Sequence, residues 1–352
     1  NPTVQHFENR IKQITGSMSV TALNSGMAAI ANTLLTIARS GSNIVSSGHL
    51  FGNTYSLFSS TFQHFGIETR FCDFTVPEIV EQQITKNTCA VYLETITNPQ
   101  LEVADLAALA AICKRKQVPL IADTTIIPFC AFDAKAFGID IELISSTKYI
   151  SGGATSIGGL IIDYGTYDWM HSPKLMPVAK EVGNLAFTSK LRKEIHRNLG
   201  AYMTPHAAYM QTLGLETLSI RYEKISSNCA NLANELLKLK EIKSVNYPGL
   251  SNNTFAEISK NQFGNHPGGM LTFDLASREA CFAFLNNLKL IKRATNLFDN
   301  KTLAIHPAST IFGSFTDEVR RSMHVYDTTI RLSFGLEQLS DLKTDIEQAL
   351  IG

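Results

Sequence analysis

The sequence lacks a net charge, a membrane-spanning apolar segment and any internal repeat. Its 352 residues include 31 Lys and Arg against 31 Asp and Glu, so no excess of one sign attracts phosphate backbones or anionic lipid. The uncharged stretches 13–38 and 40–67 are interrupted by polar residues, and neither offers the roughly 20 apolar residues that cross a bilayer. No basic-then-apolar signal segment opens the chain. We therefore expect no nucleic-acid or membrane partner, and a small molecule or another protein instead.

The cysteines and histidines form none of the closely spaced pairs that bind metals. No Cys-x-x-Cys pair occurs among six scattered cysteines, and no HExxH motif occurs among nine histidines. This spacing predicts neither a metal site nor a disulfide framework. A reducing, cytoplasmic location is therefore expected.

Length and composition predict a large globular chain with two domains. At roughly 150 residues per domain, the length gives a little over two domains, and 44% hydrophobic against 18% charged residues supply a full core. From about 19 to 163, short apolar runs alternate with helical periodicity, which is typical of a mainly parallel sheet with helices on both faces. We expect an α/β domain over 1–200 and a smaller α+β domain over 201–352.

Individual elements follow from the same patterns. Apolar runs rich in Val, Ile and Leu predict strands over 43–46, 69–72, 90–94, 118–123, 141–145, 158–163, 269–274 and 330–334. Periodic segments predict helices over 4–14, 27–38, 77–85, 103–116, 188–199, 205–239, 278–288 and 339–351. Ser25 is the expected N-cap of the second helix, and Gly214 the expected bend in the long one. A polar stretch over 164–183 suggests that a domain boundary is near.

Polar residues end several predicted strands, where ligands of open parallel sheets collect. Residues 24–27 (Asn-Ser-Gly-Met) open a helix whose backbone N–H groups could bind an anion, although on their own an ordinary capped helix explains them better. Glu94 ends one strand, and a turn holds Asn98 near the same edge. Asp123 ends another strand and needs a partner, which a plain salt bridge would also supply.

Lys148 follows the strand 141–145 and stands beside three hydroxyl residues and two glycines. A lysine in this position is ordinarily a solvated surface residue. Together with a carboxylate at a strand end and a helix start that could bind an anion, however, Lys148 forms a set of functional groups that is more specific than any one of them. Pyridoxal phosphate uses that whole set, because it requires an amine, a carboxylate at its ring nitrogen and donors for its phosphate.

The chain resembles the pyridoxal-phosphate enzymes of cysteine and methionine metabolism, which include cystathionine synthases and lyases, methionine γ-lyase and O-acetylhomoserine sulfhydrylase. The resemblance runs over essentially the whole chain and is carried by LNSGMAAI (23–30), ADTT (122–125), SSTKYI (145–150), HPAST (306–310) and IRLSFG (330–335). Within the family, LGA (199–201), GLETLS (214–219) and VNYPGL (245–250) are most similar to O-acetylhomoserine sulfhydrylase. Asn53 stands where methionine γ-lyases have a cysteine, which disfavours that activity.

The resemblance implies a role for each matching residue. Lys148 would form the Schiff base and shuttle protons, and Asp123 would pair with the pyridinium nitrogen. The phosphate would be bound by the amides of Gly26 and Met27 and by Ser145 and Thr147.

The remaining implied roles concern the cofactor ring and the substrate. Phe51 would stack on the ring, and Asn98 would lie near its phenolic oxygen. Arg331, helped by Asn296, would hold the substrate carboxylate in a two-pronged contact. Without the motif, Arg331 reads equally well as a surface arginine.

Several positions depart from the family pattern. Phe51 replaces the ring-stacking tyrosine and so lacks its phenolic proton. Thr124 replaces the usual Asn, Phe298 a Gly, and Ala154 a His. A Tyr-x-Arg pair that reaches a neighbouring subunit's phosphate is absent, and we expect it in residues upstream of Asn1.

The implied activity is γ-replacement on O-acetyl-L-homoserine, in which sulfide displaces acetate to give L-homocysteine in methionine biosynthesis. Two alternatives stay open. One is γ- or β-elimination on methionine, cystathionine or homocysteine. The other is a non-catalytic family member that serves as a binding or assembly subunit, which the loss of the tyrosine at Phe51 favours. The resemblance also implies a homo-oligomer, a tetramer built as a dimer of active-site dimers.

Overall fold

The computed structural model describes residues 1–265 and 267–351, and these form two compact units. The first unit comprises Asn1–Thr95, Ala104–Ser151 and Thr155–Leu215. The second comprises Ile96–Val103, Gly152–Ala154 and the chain from Glu216 onward. The first unit thus extends beyond residue 200, and the predicted domain division at that point stays a prediction.

A seven-stranded sheet forms the centre of the first unit. Its strands are β1 (Ser19–Leu23), β2 (Asn43–Ser47), β3 (Glu68–Cys72), β4 (Thr88–Glu94), β5 (Leu120–Asp123), β6 (Ile141–Ile144) and β7 (Gly159–Asp163). They lie in the order β1-β7-β6-β5-β4-β2-β3. Only β7 runs against its neighbours, so β1, β2, β4, β5 and β6 all end at the same edge. The predicted α/β class with a mainly parallel sheet is confirmed.

Helices of the first unit pack on this sheet and close its core. They are α1 (Pro2–Thr15), α2 (Gly26–Ile37), α3 (Gly52–Ser59), α4 (Pro77–Gln83), α5 (Leu106–Lys116), α6 (Met176–Val182), α7 (Ala186–Lys190), α8 (His196–Leu199) and α9 (Pro205–Glu216). A π-helical segment, Leu191–Ile195, joins α7 to α8. Helix α2 is central, because its Ala29, Ile30 and Leu34 are buried in the hydrophobic cluster of this unit.

The second unit contains a five-stranded sheet of order β10-β11-β12-β9-β8. Its strands are β8 (Ser244–Asn246), β9 (Met270–Asp274), β10 (Lys292–Arg293), β11 (Leu303–Ile305) and β12 (Thr329–Ser333). All pairings except β10 with β11 are antiparallel. The helices are α10 (Leu218–Leu236), α11 (Ala256–Phe263), α12 (Arg278–Asn287), α13 (Asp317–Ser322) and α14 (Leu339–Ile351). This smaller unit is of the predicted α+β kind.

Most predicted elements are present within a few residues of their expected ends, but two predictions differ and several elements were not predicted. The helix expected over 205–239 is two helices, and the break lies at Thr217 rather than Gly214. Helix α6 lies in the stretch 164–183 that was expected to be only polar. Helix α3 was not predicted, because its sequence GNTYSLFS has no clear apolar face.

No helix among the described residues is both long and apolar enough to cross a membrane. None of the six cysteines, all of which are described, forms a disulfide.

Candidate active site

The first turn of α2 lies at the edge of the sheet where β1 ends. Ser25 caps the helix as predicted, since its Oγ accepts from the Ala28 N–H at 3.1 Å. Gly26 and Met27 follow in the first turn, where backbone N–H groups lack an intrahelical acceptor and the helix dipole favours an anion. A Cβ at Gly26 would lie 2.8 Å from the Cβ of Ser145. Glycine therefore lets the helix start approach the end of β6.

The turn after β6 carries Ser145, Thr147 and Lys148, all half-buried. Thr147 Oγ1 accepts from the Gly158 N–H at 3.0 Å and donates to the Gly158 carbonyl at 3.2 Å. The Lys148 backbone N–H donates to the Ser145 carbonyl at 3.2 Å. The lysine is thus held in a turn that is fastened to the strand beside it.

Asp123 ends β5 directly beside Glu94, the last residue of β4. Its Oδ1 accepts from the Thr125 N–H at 2.9 Å, and burial raises the pKa of its carboxyl group. The side chain is nevertheless partly exposed. A cationic N–H group placed against it would favour the ionised form, so Asp123 suits a protonated ring nitrogen.

Thr125 connects the carboxylate to the lysine turn, a role that the sequence did not reveal. Its N–H binds Asp123, and its Oγ1 accepts from the Ser145 N–H at 2.9 Å. Thr125 lies in the family motif 122–125, but a hydroxyl that bridges two strand ends has no signature in spacing alone. Thr125 thereby fixes the distance between the Asp123 carboxylate and the turn that carries Ser145, Thr147 and Lys148.

Phe51 immediately precedes α3, and its ring is 36% exposed. The Phe51 backbone N–H donates to Glu94 Oε1 at 2.7 Å. Since Glu94 lies beside Asp123 in the sheet, this bond ties Phe51 to the edge where Asp123 lies. Glu94, which the sequence marked only as a strand-end carboxylate, thus acts as the anchor of the aromatic residue.

In the second unit, Arg331 on β12 is almost fully buried, with 1% of its surface exposed. Its Nη1 donates to Asn98 Oδ1 at 3.0 Å, and its Nη2 to the carbonyls of Thr295 and Asn296, each at 3.2 Å. Nε is buried and has no hydrogen-bond partner among the described residues. Burial lowers the pKa of Arg331 to about 9, so the guanidinium remains charged at neutral pH. A buried cation with an unused donor fits an anionic ligand group.

The predicted residues therefore form two sets. At one sheet edge, the first unit collects Gly26, Met27, Phe51, Asp123, Ser145, Thr147 and Lys148. The second unit collects Asn98, Asn296 and Arg331, where Asn296 contributes its backbone carbonyl. The first set fits pyridoxal phosphate, because it offers an amine, a carboxylate, hydroxyls and a helix start closed to any side chain at Gly26. The individual roles assigned from the sequence stay predictions.

The chain is similar to known proteins over nearly its whole length. Residues 1–351 match the family described as Cys/Met metabolism PLP-dependent enzyme. O-acetyl-L-homoserine sulfhydrylase 1 of Thermus thermophilus is 36% identical over 364 residues, which cover 99% of this chain and 86% of that protein.

Solved structures agree with this similarity. An O-acetylhomoserine sulfhydrylase of Wolinella succinogenes superposes with a TM-score of 0.90 at 45% identity, over 99% of this chain and 97% of its own. A putative O-acetylhomoserine (thiol)-lyase of Campylobacter jejuni, solved with a pyridoxyl-lysine phosphate, has a TM-score of 0.91 at 32% identity. That match covers 100% of this chain and 87% of the other. The predicted resemblance is confirmed.

Proposed function

Because the chain belongs to the pyridoxal-phosphate-dependent enzymes of cysteine and methionine metabolism, we propose that it is an O-acetylhomoserine sulfhydrylase. In this reaction sulfide displaces acetate from the γ-carbon of O-acetyl-L-homoserine and gives L-homocysteine. The observation that carries the proposal is the similarity, over 99% of this chain, to relatives that bear this name.

Lys148 and Asp123 have the central roles in the proposed mechanism. Pyridoxal phosphate, when bound, supplies a cationic ring that accepts the electron pair released at the substrate Cα. Lys148 would hold the cofactor through its side-chain amine, and the same amine would take the protons from the substrate Cα and Cβ. Asp123 holds the proton on the ring nitrogen. The first turn of α2, together with Ser145 and Thr147, binds the phosphate.

Arg331 is proposed to bind the α-carboxylate of the substrate, with the help of Asn296. Asn98 and the backbone carbonyls of Thr295 and Asn296 fix the guanidinium plane. A planar guanidinium held in this way can bind a carboxylate more specifically than an ammonium group can.

Phe51 favours acetate replacement over thiolate elimination. Acetate leaves without prior protonation, whereas a departing thiolate gains from a positioned acid, which phenylalanine cannot supply. The replacement reaction therefore fits this chain better than the lyase reaction.

Product analysis with and without sulfide tests the proposal. Cofactor-loaded protein is incubated with O-acetylhomoserine, and amino-acid products and acetate are quantified. Homocysteine that forms only with sulfide supports replacement, whereas an oxo acid and ammonia formed without sulfide would support the lyase alternative. The absence of any turnover by protein whose Lys148 becomes labelled on borohydride reduction would support the non-catalytic alternative.

We also propose that the chain acts as a homo-oligomer in the cytoplasm. Several large apolar side chains of the first unit are exposed, including Ile157 at 65%, Tyr202 at 51% and Tyr209 at 54%. Tyr202 pairs with Leu23, which directly precedes the turn into α2 that is proposed to bind the phosphate. A second subunit that covers Tyr202 would therefore lie near the cofactor. Sedimentation of wild type and Tyr209→Lys tests this, because the charged variant should dissociate if α9 lies in an interface.

A further inference from the structure

A second carboxyl group lies on the strand next to Asp123 and takes no part in the proposed mechanism. Glu142 on β6 is fully buried, with 0% of its surface exposed. Its Oε1 accepts from the Thr124 hydroxyl at 2.5 Å and its Oε2 from the Tyr164 hydroxyl at 2.6 Å. Thr124 directly follows Asp123 and stands where the family usually has Asn. The hydrogen bond between Thr124 and Glu142 thus joins β6 to the residue that directly follows Asp123.

No cationic side chain among the described residues acts on Glu142. Its neighbours across the sheet are Ala122 on β5 and Ile162 on β7, both apolar. Among the described residues, no Lys, Arg or His forms an ion pair with it, and the charged groups that act on it are Asp123 and Asp133, both negative. Burial, reinforced by these negative charges, raises the pKa of Glu142 to about 7. Glu142 therefore exchanges its proton near neutral pH.

The charges of Asp123 and Glu142 interact, although their side chains leave opposite faces of the sheet. The two side chains belong to adjacent strands, with Asp123 opposite Leu143 and Ala122 opposite Glu142. Charges that interact inside protein are screened far less than charges in water. Ionised Glu142 would therefore disfavour ionised Asp123 by itself, and it would strengthen the hold of this carboxylate pair on a cation placed against Asp123.

We propose that Glu142 is a positioning residue that acts through Asp123 and makes the binding of pyridoxal phosphate depend on proton release. When Glu142 is neutral, Asp123 alone faces the protonated ring nitrogen. When Glu142 is ionised, a second negative charge on the adjacent strand strengthens that contact. By reciprocity, a bound cationic ring favours loss of the Glu142 proton. This inference rests on the proposed function, because it requires the cofactor to bind at Asp123.

The test compares cofactor affinity as a function of pH in wild type and Glu142→Gln. Glutamine keeps the shape of the side chain but cannot ionise, so titrations common to both proteins cancel. Well below pH 7 the two dissociation constants for pyridoxal phosphate should agree, and well above pH 7 the variant should bind on the order of tenfold more weakly. Asp163→Asn is the control, since Asp163 is a buried carboxyl on β7 with a raised pKa that bonds to Thr188 and Gly165. The ratio of the dissociation constants of Asp163→Asn and wild type should not change with pH.

A direct measurement of the proton accompanies the affinities. The infrared carbonyl band of a neutral carboxylic acid should titrate near pH 7 in the cofactor-free wild type and be missing from Glu142→Gln. Tyr164→Phe removes a donor to the ionised form and should move that titration to higher pH. It also keeps the inference testable if Glu142→Gln does not fold.

The outcomes separate this inference from the proposed function. If Glu142→Gln lowers stability but its affinity ratio to wild type does not change with pH, Glu142 is merely structural and the inference is overturned. Failure of wild type to bind pyridoxal phosphate at Lys148 would instead overturn the proposed function.

Discussion

Phe51 is the single residue that most directly limits the chemistry of the proposed site. Its backbone is anchored by Glu94, so a ring at this position is held at the sheet edge whatever its substituent. A phenylalanine ring can stack on the cofactor without supplying a proton. The chain should therefore handle leaving groups that need little protonation.

Phe51→Tyr should add the missing acid. Elimination of thiol from cystathionine or homocysteine should be slow in wild type and should rise in the variant by up to about 10²- to 10⁴-fold. Turnover of O-acetylhomoserine with sulfide should persist in both proteins. Phe65→Tyr, at a position that is 57% exposed on another turn, is the control and should change neither rate. Fast thiol elimination by wild type that tyrosine does not improve would show that another acid serves the site.

Two other departures from the family occupy the left-handed region of backbone conformation. Ala154 has φ 57° and Phe298 has φ 55°, where a side chain costs about 1–2 kcal/mol. Ala154 is exposed, so its methyl group gains little from burial. Phe298 is fully buried, and its ring gains more than the backbone loses.

The two positions should therefore respond to glycine with opposite signs. Ala154→Gly should raise the free energy of unfolding by about 0.5–1 kcal/mol, because relief of strain exceeds the added chain entropy. Phe298→Gly should lower it, since loss of a buried aromatic ring costs about 3–5 kcal/mol. Urea denaturation of both variants measures this, and a less stable Ala154→Gly would contradict the strain assigned to that residue.

At the scale of the element, α2 is held at both ends. Ser25 caps its start, and Lys174 Nζ donates to the carbonyls of Leu35 and Ala38 at 2.5 and 2.7 Å. A lysine at this end satisfies carbonyls that the helix leaves unpaired and opposes the helix dipole. The proposed phosphate site at the start of α2 therefore depends on a helix that is fixed at its far end.

Lys174→Met should lower the free energy of unfolding by about 1–2 kcal/mol, because two charge-assisted hydrogen bonds are lost while the apolar stem remains. Lys180→Met on α6 is exposed and should stay within about 0.5 kcal/mol of wild type. Thermal and urea unfolding of both variants provide the comparison. Equal stability of the two would mean that the contacts of Lys174 contribute nothing net.

Eight of the strands were predictable because each is a short apolar run that ends in polar residues, whereas β1, β8, β10 and β11 were not predicted. Gly214 shows what the sequence left out. We expected it to bend a helix, yet a Cβ there would lie 2.0 Å from the Ile150 carbonyl oxygen. Glycine is needed for that close approach, while the helix ends at Thr217. Packing between elements distant in sequence decides such positions, and periodicity does not report it.

The site divides in the same way. Motifs and strand ends pointed to Lys148, Asp123 and Arg331. The contact between Arg331 and Asn98 joins residues 233 positions apart, and the bond between Thr124 and Glu142 depends on the register of β5 and β6. Neither of these two contacts could be predicted from sequence spacing, because strand register is a property of the folded sheet.

At the scale of the whole molecule, the first unit holds several carboxyl groups whose pKa is raised by burial. They include Glu8, Asp123, Asp140, Glu142 with a pKa of about 7, and Asp163 with a pKa of about 6. In the unfolded chain such groups titrate near 4. Between these values the folded protein binds more protons than the unfolded chain.

Stability of the cofactor-free protein should consequently fall as pH rises from about 4.5 to about 7. Glu235, whose pKa is lowered to about 2 by Lys238 and Lys343, acts in the opposite sense but is exposed and screened by solvent. Unfolding midpoints measured across this range should decrease in wild type, and less steeply in Asp163→Asn. An unfolding midpoint that increases steadily toward neutral pH would contradict the raised pKa of these carboxyl groups.

The pairing of β1 has a consequence for synthesis of the chain. This strand is at the edge of its sheet, and among the described strands it pairs with β7. Some 140 residues must therefore leave the ribosome after Leu23 before its backbone groups can be paired, and domains fold as units during synthesis. Until then the nascent chain carries an open strand edge, which is an aggregation hazard. The turn that is proposed to bind phosphate follows this strand directly, so a segment made well before β7 would be among the last to become competent for its cofactor.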